Sequence, residues 1–439
     1  MKDLNQEVSD SEMLDKLQRE TFDYFLHQVN EQTGLLADKT QPGSVASIAA
    51  VGMGLSCYIT AVERGYMKRE EAIRRTSKVL KFLLDSPQNE SPVATGYKGF
   101  YYHFLDMQTG ERVWNSELST MDTAIFLAGA LTAQFYFTGR NEAEREIRQM
   151  ANQLYLRVDW QWALNGRRSI THGWKPETGF LRHRWNKGYS EALLLYILAL
   201  GSPSFPIPAA GYKKWTATFE WTNVYDTEYL YAGPLFIHQM SHVWIDFKDI
   251  MDERNKVSGF DYFENSRRAT IIHQRYATDN PLRFAGYGEH CWGITASDGP
   301  GPRHEVRDGV KRYYYNYKAR GAPFGPDDGT VAPWAVVASL PFAPELVLRT
   351  TRHEMNNAVM GKYYHHGFCA SFNPTYTGKN NEHSEGWISE WQYAINQGPI
   401  ILMIENHLTG FIWNVSKKSP QIINGLKAAG FTGGWLEEK

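Results

Sequence analysis

The sequence predicts an all-α fold, a toroid of six helical hairpins with long rim loops and short strands within them. Three observations carry this. Half-exposed amphipathic segments alternate six times with segments that are apolar nearly all round. No apolar run alternates with period two over enough length to demand a large sheet. The connections 86–115, 158–188, 279–330 and 360–390 are long, and loops of that length in a compact domain are usually functional.

Taken in order, 11–30 carries Leu14, Leu17, Phe22 and Phe25 on one face and precedes the apolar 43–64 (Ile48, Val51, Leu55, Ile59). The stripe Ile73, Leu80, Leu83 and Leu84 makes 68–85 amphipathic, and it precedes the apolar 116–137. The charged 141–157 precedes 189–200. Further pairs are 208–219 with 233–249, 260–277 with 331–340, and 342–359 with 391–406; 419–429 closes the chain. The apolar members predict an inner ring and the amphipathic ones an outer ring. Each long connection leads into the start of an inner helix, which gathers the loops on a single rim. No Pro/Ser-rich linker interrupts the 439 residues, so residues 1–439 read as one domain.

Composition narrows the function. A net charge of -2 gives no basic footprint, so neither nucleic acid nor a membrane surface is an expected partner. No apolar run reaches a bilayer span. Three widely spaced cysteines, Cys57, Cys291 and Cys369, imply neither a disulfide framework nor a zinc knuckle. The first ten residues lack an apolar signal core, which predicts a cytoplasmic protein as supplied, or a periplasmic or secreted one if an export signal has been trimmed. A monomer is expected. Aromatic residues stand out at 14% of the chain, with 14 Trp, 25 Tyr and 22 Phe. Many sit beside Gly, Pro, Asn or His in the loops. They serve to pack long loops or, beside acidic groups, to stack on the apolar faces of sugar rings.

The acidic residues carry the chemistry. Carboxylates recur near the starts of the inner segments: Glu117 and Asp122, Glu191, Asp226 and Glu228, Asp327 and Asp328, then Glu382, Glu385 and Glu390. Capping and the helix dipole explain most of these. They explain Asp122 and Glu191 less well, because apolar residues surround both, and a carboxylate is almost never fully buried alone. Two such groups facing one cleft are what glycoside hydrolysis needs, one protonated to donate to the leaving oxygen and one ionised. No metal is expected. His238 and His242 share a helix-like i, i+4 spacing but lack the intervening Glu of a zinc protease, which leaves a structural or sugar-contacting role. His365-His366, His172 and His183 are no better as ligands. Gly52-Met-Gly54 has no phosphate loop around it, and Arg267 and Arg268 read as ordinary charges on an outer helix.

Several motifs in combination resemble a known family: Ser-Glu-Leu-Ser-Thr-Met-Asp-Thr-Ala (116–124), Gly-Tyr-Ser-Glu-Ala (188–192), Gly-Pro-Leu-Phe-Ile-His-Gln (233–239), Glu-Asn-Ser-Arg-Arg-Ala-Thr (264–270), Trp-Gly-Ile-Thr-Ala-Ser-Asp-Gly-Pro (292–300) and Asn-Gln-Gly-Pro-Ile (396–400). Pro-Gly-Ser-Val-Ala-Ser-Ile-Ala-Ala-Val-Gly (42–52) adds to them. Over nearly its whole length the chain resembles the bacterial glucoamylase-like proteins, in particular the endo-β-1,2-glucanases of glycoside hydrolase family 144. The resemblance implies an (α/α)6 barrel, no cofactor, and inverting hydrolysis of β-1,2-glucan to short sophoro-oligosaccharides. Transglycosylation, another glucan, or glycan binding without catalysis are the alternatives. It points to Glu191 as an essential acid with Glu117 and Asp122 as acidic partners, leaving open which of the two is the base. Trp185, Tyr189, Trp292, Trp387 and Trp391 are then expected to line subsites, with Arg182, His183, Arg184 and His242 binding sugar hydroxyls.

Overall fold

The computed structural model describes residues 8–307, 309–356, 367–378 and 386–437. Its helices are α1 (Asp10–His27), α2 (Ile48–Glu63), α3 (Arg69–Asp85), α4 (Thr120–Tyr136), α5 (Glu142–Leu156), α6 (Trp160–Ala163), α7 (Ala192–Leu200), α8 (Ala209–Thr216), α9 (Glu253–Ser258), α10 (Tyr262–Asp279), α11 (Pro333–Val337), α12 (Pro344–Asn356), α13 (Ala394–Thr409), α14 (Phe411–Ser416) and α15 (Pro420–Ala429). None of the described helices is long and apolar enough to cross a membrane.

Two kinds of helix separate as their patterns dictate. Every residue of α7 is buried, as is all of α2 except Val62 and Glu63, and all of α4 from Thr120 to Ala133 except Asp122. In α3 only Ala72, Thr76, Val79, Leu80 and Leu83 are buried, and in α5 a similar stripe holds Ile147, Ala151, Leu154 and Tyr155. The buried helices pack on one another: α2 lies between α4 and α13, α4 meets α7, and α11 meets α13. The amphipathic ones lie outside them, α1 and α3 on α2, α5 on α4, α12 on α11 and α15 on α7. Gly52 and Gly129 explain the tight α2–α4 crossing. A Cβ on Gly52 would collide with the Ile125 carbonyl and one on Gly129 with the Gly52 carbonyl, so the glycine pair serves close helix approach rather than a ligand.

The expected helix over 233–249 is absent. Two 3-10 turns, Leu235–His238 and Met240–Val243, take its place. Polar contacts break it: Gln239 at the junction donates to the Ala335 carbonyl (2.6 Å) and Ser339 Oγ (2.7 Å), and Ser241 Oγ donates to the Glu191 carbonyl. Similarly, the 331–340 segment is α-helical only over α11.

The strands lie in the connections between helices. An antiparallel five-stranded sheet runs β2 (Gly96–Tyr97), β3 (Phe100–Tyr102), β5 (Leu118–Ser119), β6 (Gly173–Lys175) and β7 (Gly179–Phe180), while β1 (Ala46–Ser47) pairs with β4 (Phe104–Leu105). Tyr101 opposes Ser119 and Leu118 opposes Trp174. Strand β5 runs straight into α4, so the sheet holds the entrance to a buried helix. The 279–330 connection is fixed by a fully buried pair, in which Arg320 Nε donates to Asp328 Oδ1 at 2.6 Å and Nη2 to Oδ2 at 2.9 Å. Arg320 Nη1 also donates to the Ser297 carbonyl at 2.7 Å. The Tyr315 and Thr330 N–H groups donate to the Asp328 oxygens and Arg320 Nη2 donates to the Tyr315 carbonyl, the kind of satisfaction that lets a core tolerate charge.

Candidate active site

A cavity of about 650 Å³ opens where β5 enters α4 and where α7 begins. Glu117, Asp122 and Glu191 all line it, together with Asp38, His103, His172 and Trp185. Phe236, Met240 and Trp334 line it as well, and Tyr317 and Tyr393 stand on the wall contributed by the later connections. The three acidic residues singled out in the sequence are therefore brought together.

Each carboxylate is placed differently. Ser119 is the N-cap of α4: its Oγ accepts from the Asp122 backbone N–H at 3.2 Å and donates to Asp122 Oδ2. Asp122 thus takes part in helix capping and faces the cavity as well. Glu191 stands at the N-cap position of α7, yet its side chain makes no capping hydrogen bond. Ser241 does that work, accepting from the Leu194 N–H at 3.1 Å while donating to the Glu191 carbonyl at 2.9 Å. Glu117 precedes β5, outside any helix.

His103, which sequence reasoning missed, organises the acids. Its Nδ1 lies 2.9 Å from Glu117 Oε1 and its Nε2 lies 3.7 Å from Asp122 Oδ2, while its ring stacks on Phe104 at 4.0 Å. Burial works against its charge, but Asp122, Glu117 and Asp38 outweigh it and push its pKa up to about 9. Both ring nitrogens are then donors at neutral pH. Burial acts upward on Glu117, yet the hydrogen bond and charge of His103 hold its carboxyl below the usual range. His103, Glu117 and Asp122 bring one ligand atom each within 4.8 Å of the others, a spacing a cation would also fit. In the imidazolium form His103 supplies the positive charge there, and a metal would have to displace its proton to bind.

Glu191 behaves oppositely. Burial pushes its carboxyl up to about 7, and the charge of Asp122 adds to the shift. Asp38, also missed, is raised to about 6 by burial, against the pull of His103 and Lys39. The site therefore pairs a carboxyl that holds its proton near neutrality with carboxylates gathered around a cation. Such divergence separates an acid from a base. Asp38 follows a short apolar run (Leu35-Leu36-Ala37) but is itself followed by polar residues, so it lacks the signal that marked Asp122. His103 lies between strands, where no periodicity marks it.

The expected sugar-contacting residues divide. Trp185 is in the wall: His172 stacks on it at 3.9 Å, its Nε1 donates to Thr120 Oγ1 at 3.1 Å, and its carbonyl accepts from Tyr196 OH at 2.6 Å. Tyr189 is a correction, because it is buried and stacked on Tyr262 at 5.7 Å. Trp292 is another, fully buried and donating to Thr350 Oγ1. His242 is a third, fully buried with its Nε2 3.0 Å from Ser266 Oγ. Arg184 donates to the Leu164 and Ser169 carbonyls and faces a separate basic hollow with Arg167, Arg168 and Lys214. Arg182 and His183 are exposed, and Trp387 and Trp391 are half-buried; none of these four is among the residues lining the cavity.

The other acids have structural places. Asp328 pairs with Arg320, Asp327 accepts from Tyr276 and Tyr287, and Asp226, Glu228 and Glu390 are exposed. Glu382, Glu385, His365 and His366 lie outside the described residues. Arg267 and Arg268 pair with Glu264, one turn earlier on α10.

Fold and site together define a helical scaffold with an aromatic-walled cavity lined by Glu191, whose carboxyl is raised, and by carboxylates gathered around His103. Comparison with known proteins then identifies the family. The Glycoamylase family model, described as "Putative glucoamylase", matches residues 182–420, more than half the chain. A crystal structure of a "putative glucoamylase" from Bacteroides uniformis is 30% identical with a TM-score of 0.85, covering 99% of this chain and 100% of that one. The chain belongs to this glucoamylase-like family. An endo-β-1,2-glucanase from Chitinophaga pinensis, solved with sophorotriose and glucose, is 25% identical with a TM-score of 0.83 over 97% of this chain and 99% of its own. An exo β-1,2-glucooligosaccharide sophorohydrolase (non-reducing end) from Parabacteroides distasonis is 28% identical over 96% of this chain. The present chain spans 58% of the length of that relative.

Proposed function

We propose that this chain is a glycoside hydrolase of β-1,2-glucan, cleaving internally and with inversion on a closed (α/α)6 toroid. The observation that carries it is the pairing across one cavity of Glu191, raised to about 7, with the Asp122–His103–Glu117 group. In this reading Glu191 donates its proton to the glycosidic oxygen as the bond to the anomeric carbon breaks. Asp122 or Glu117 accepts a proton from the water that attacks the opposite face of the sugar. His103 holds the Glu117 carboxyl below the usual range, which favours its ionised form. Trp185, backed by His172, offers a flat apolar wall to a pyranose face. The names of the Chitinophaga pinensis and Parabacteroides distasonis relatives support the choice of linkage.

The test is digestion of linear β-1,2-glucan beside β-1,3-, β-1,4- and α-1,4-glucans. The expected result is release of reducing ends from the first alone, with the α-anomer appearing first by NMR. A ladder of oligosaccharides marks internal cleavage, whereas sophorose alone from the earliest times would make the enzyme exo-acting. Products longer than the starting oligosaccharide would show transfer instead. Glu191→Gln should abolish turnover while leaving the fold intact, and an active variant would refute its role.

A further inference from the structure

Between Val113 and Ser116 the chain makes a tight turn closed by the Ser116 N–H donating to the Val113 carbonyl at 3.0 Å. Both central residues are left-handed, Trp114 at φ 56° and Asn115 at φ 49°. This is the backbone of a type I′ turn, a conformation that favours Asn and Gly and is costly for a bulky side chain. The ring gains little from burial in return, since Trp114 is 67% exposed. Arg112 braces the turn, its Nε donating to the Ser116 carbonyl at 2.6 Å and its Nη1 to Glu177 Oε1 at 2.7 Å.

The position of the ring gives the strain a purpose. Trp114 lies 5.2 Å from the ring of Phe104, which lines the cavity, and Phe104 stacks at 4.0 Å on His103 beside the carboxylates. Three rings therefore run in a row from the acids to solvent. A sugar chain leaving the cavity along this row meets an exposed indole, whose face matches the apolar C–H face of a pyranose.

We propose that Trp114 is an outer subsite, a platform that holds a glucosyl unit of a chain extending beyond the cavity. The proposal rests on the glucan-hydrolase reading, and its test separates the two. Trp114→Gly and Trp114→Asn suit the left-handed turn and should fold with unchanged or higher melting temperature. Both should lower kcat/KM on long linear β-1,2-glucan about fivefold, through KM. On the shortest oligosaccharide the enzyme cleaves, the loss should stay under twofold, and Trp114→Tyr should keep most long-chain affinity. An equal loss on long and short substrates, or none on either, overturns the proposal. A second readout needs no turnover: in gels containing β-1,2-glucan, Glu191→Gln protein should be retarded and the Glu191→Gln/Trp114→Gly protein much less so. If the wild type releases no reducing ends, the hydrolase reading falls, and the difference in retardation still upholds the platform; equal mobility of the two variants overturns it.

Discussion

Replacing His103 by Gln removes the cation around which the cavity carboxylates gather, and its effect on stability follows from the structure. The imidazole titrates at 6.5 when unperturbed and at about 9 in the folded protein, so between these values the folded state holds a proton the unfolded chain has lost. The resulting stabilisation is complete below pH 6.5 and is lost as the pH rises through 9. A shift of that size corresponds to about 3 kcal/mol. The side chain of His103 is 30% exposed, and solvent screening brings the expected figure nearer to about 2 kcal/mol. Urea unfolding followed by tryptophan fluorescence at pH 6 and pH 9.5 measures it. The wild type should lose about 2 kcal/mol more than the His103→Gln protein between the two pH values, with groups remote from His103 cancelling in the comparison. The variant's activity should also fall on the acid side at higher pH than in the wild type, because Glu117 loses the partner that lowers its carboxyl. Parallel pH dependences of stability in the two proteins would refute the assignment of His103 as an imidazolium.

Three further outcomes are expected. Glu191 must be protonated to donate and titrates near 7, so kcat/KM should decline tenfold per pH unit above about pH 7; a plateau to pH 9 would exclude it as the acid. Burial depresses His238 to about 4 and His242 and His273 to about 3. Their contribution to stability is complete above pH 6.5 and is lost as the pH falls toward 4 and then 3, so the melting temperature should drop by at least about 5 °C from pH 6.5 to 4.5, and less in His273→Met. Arg320→Met strands the buried Asp328 carboxylate and should cost about 3–5 kcal/mol in urea unfolding, with Arg320→Met/Asp328→Leu recovering most of it.

The amphipathic and apolar helices were legible because burial alone decides them. Arg69–Asp85 and Glu142–Leu156 show their stripes in the sequence, and the buried face of Ala192–Leu200 is continuous. The 233–249 segment was misread because its apolar residues suit a helix, whereas the Gln239 and Ser241 hydrogen bonds that break it join residues far apart in the chain. At the site, Glu191, Asp122 and Trp185 were visible as polar or aromatic residues at the mouths of apolar helices. Asp38 and His103 were not, because a strand or loop residue shows no pattern of its own and its role exists only once β1 and β4 pair. Tyr189, Trp292 and His242 failed as surface contacts for the opposite reason, since their loops and turns fold inward.

Ser241, reached from a distant turn, closes the end of the helix that carries Glu191. Chemistry and architecture are thus uncoupled at this position. A lineage that lost the acid would keep the helix end intact and face little selection to restore it. On the proposed hydrolase reading, the same scaffold is free to drift from cutting a polymer to merely holding one, and the residue at 191 is where such a change of occupation would first be written.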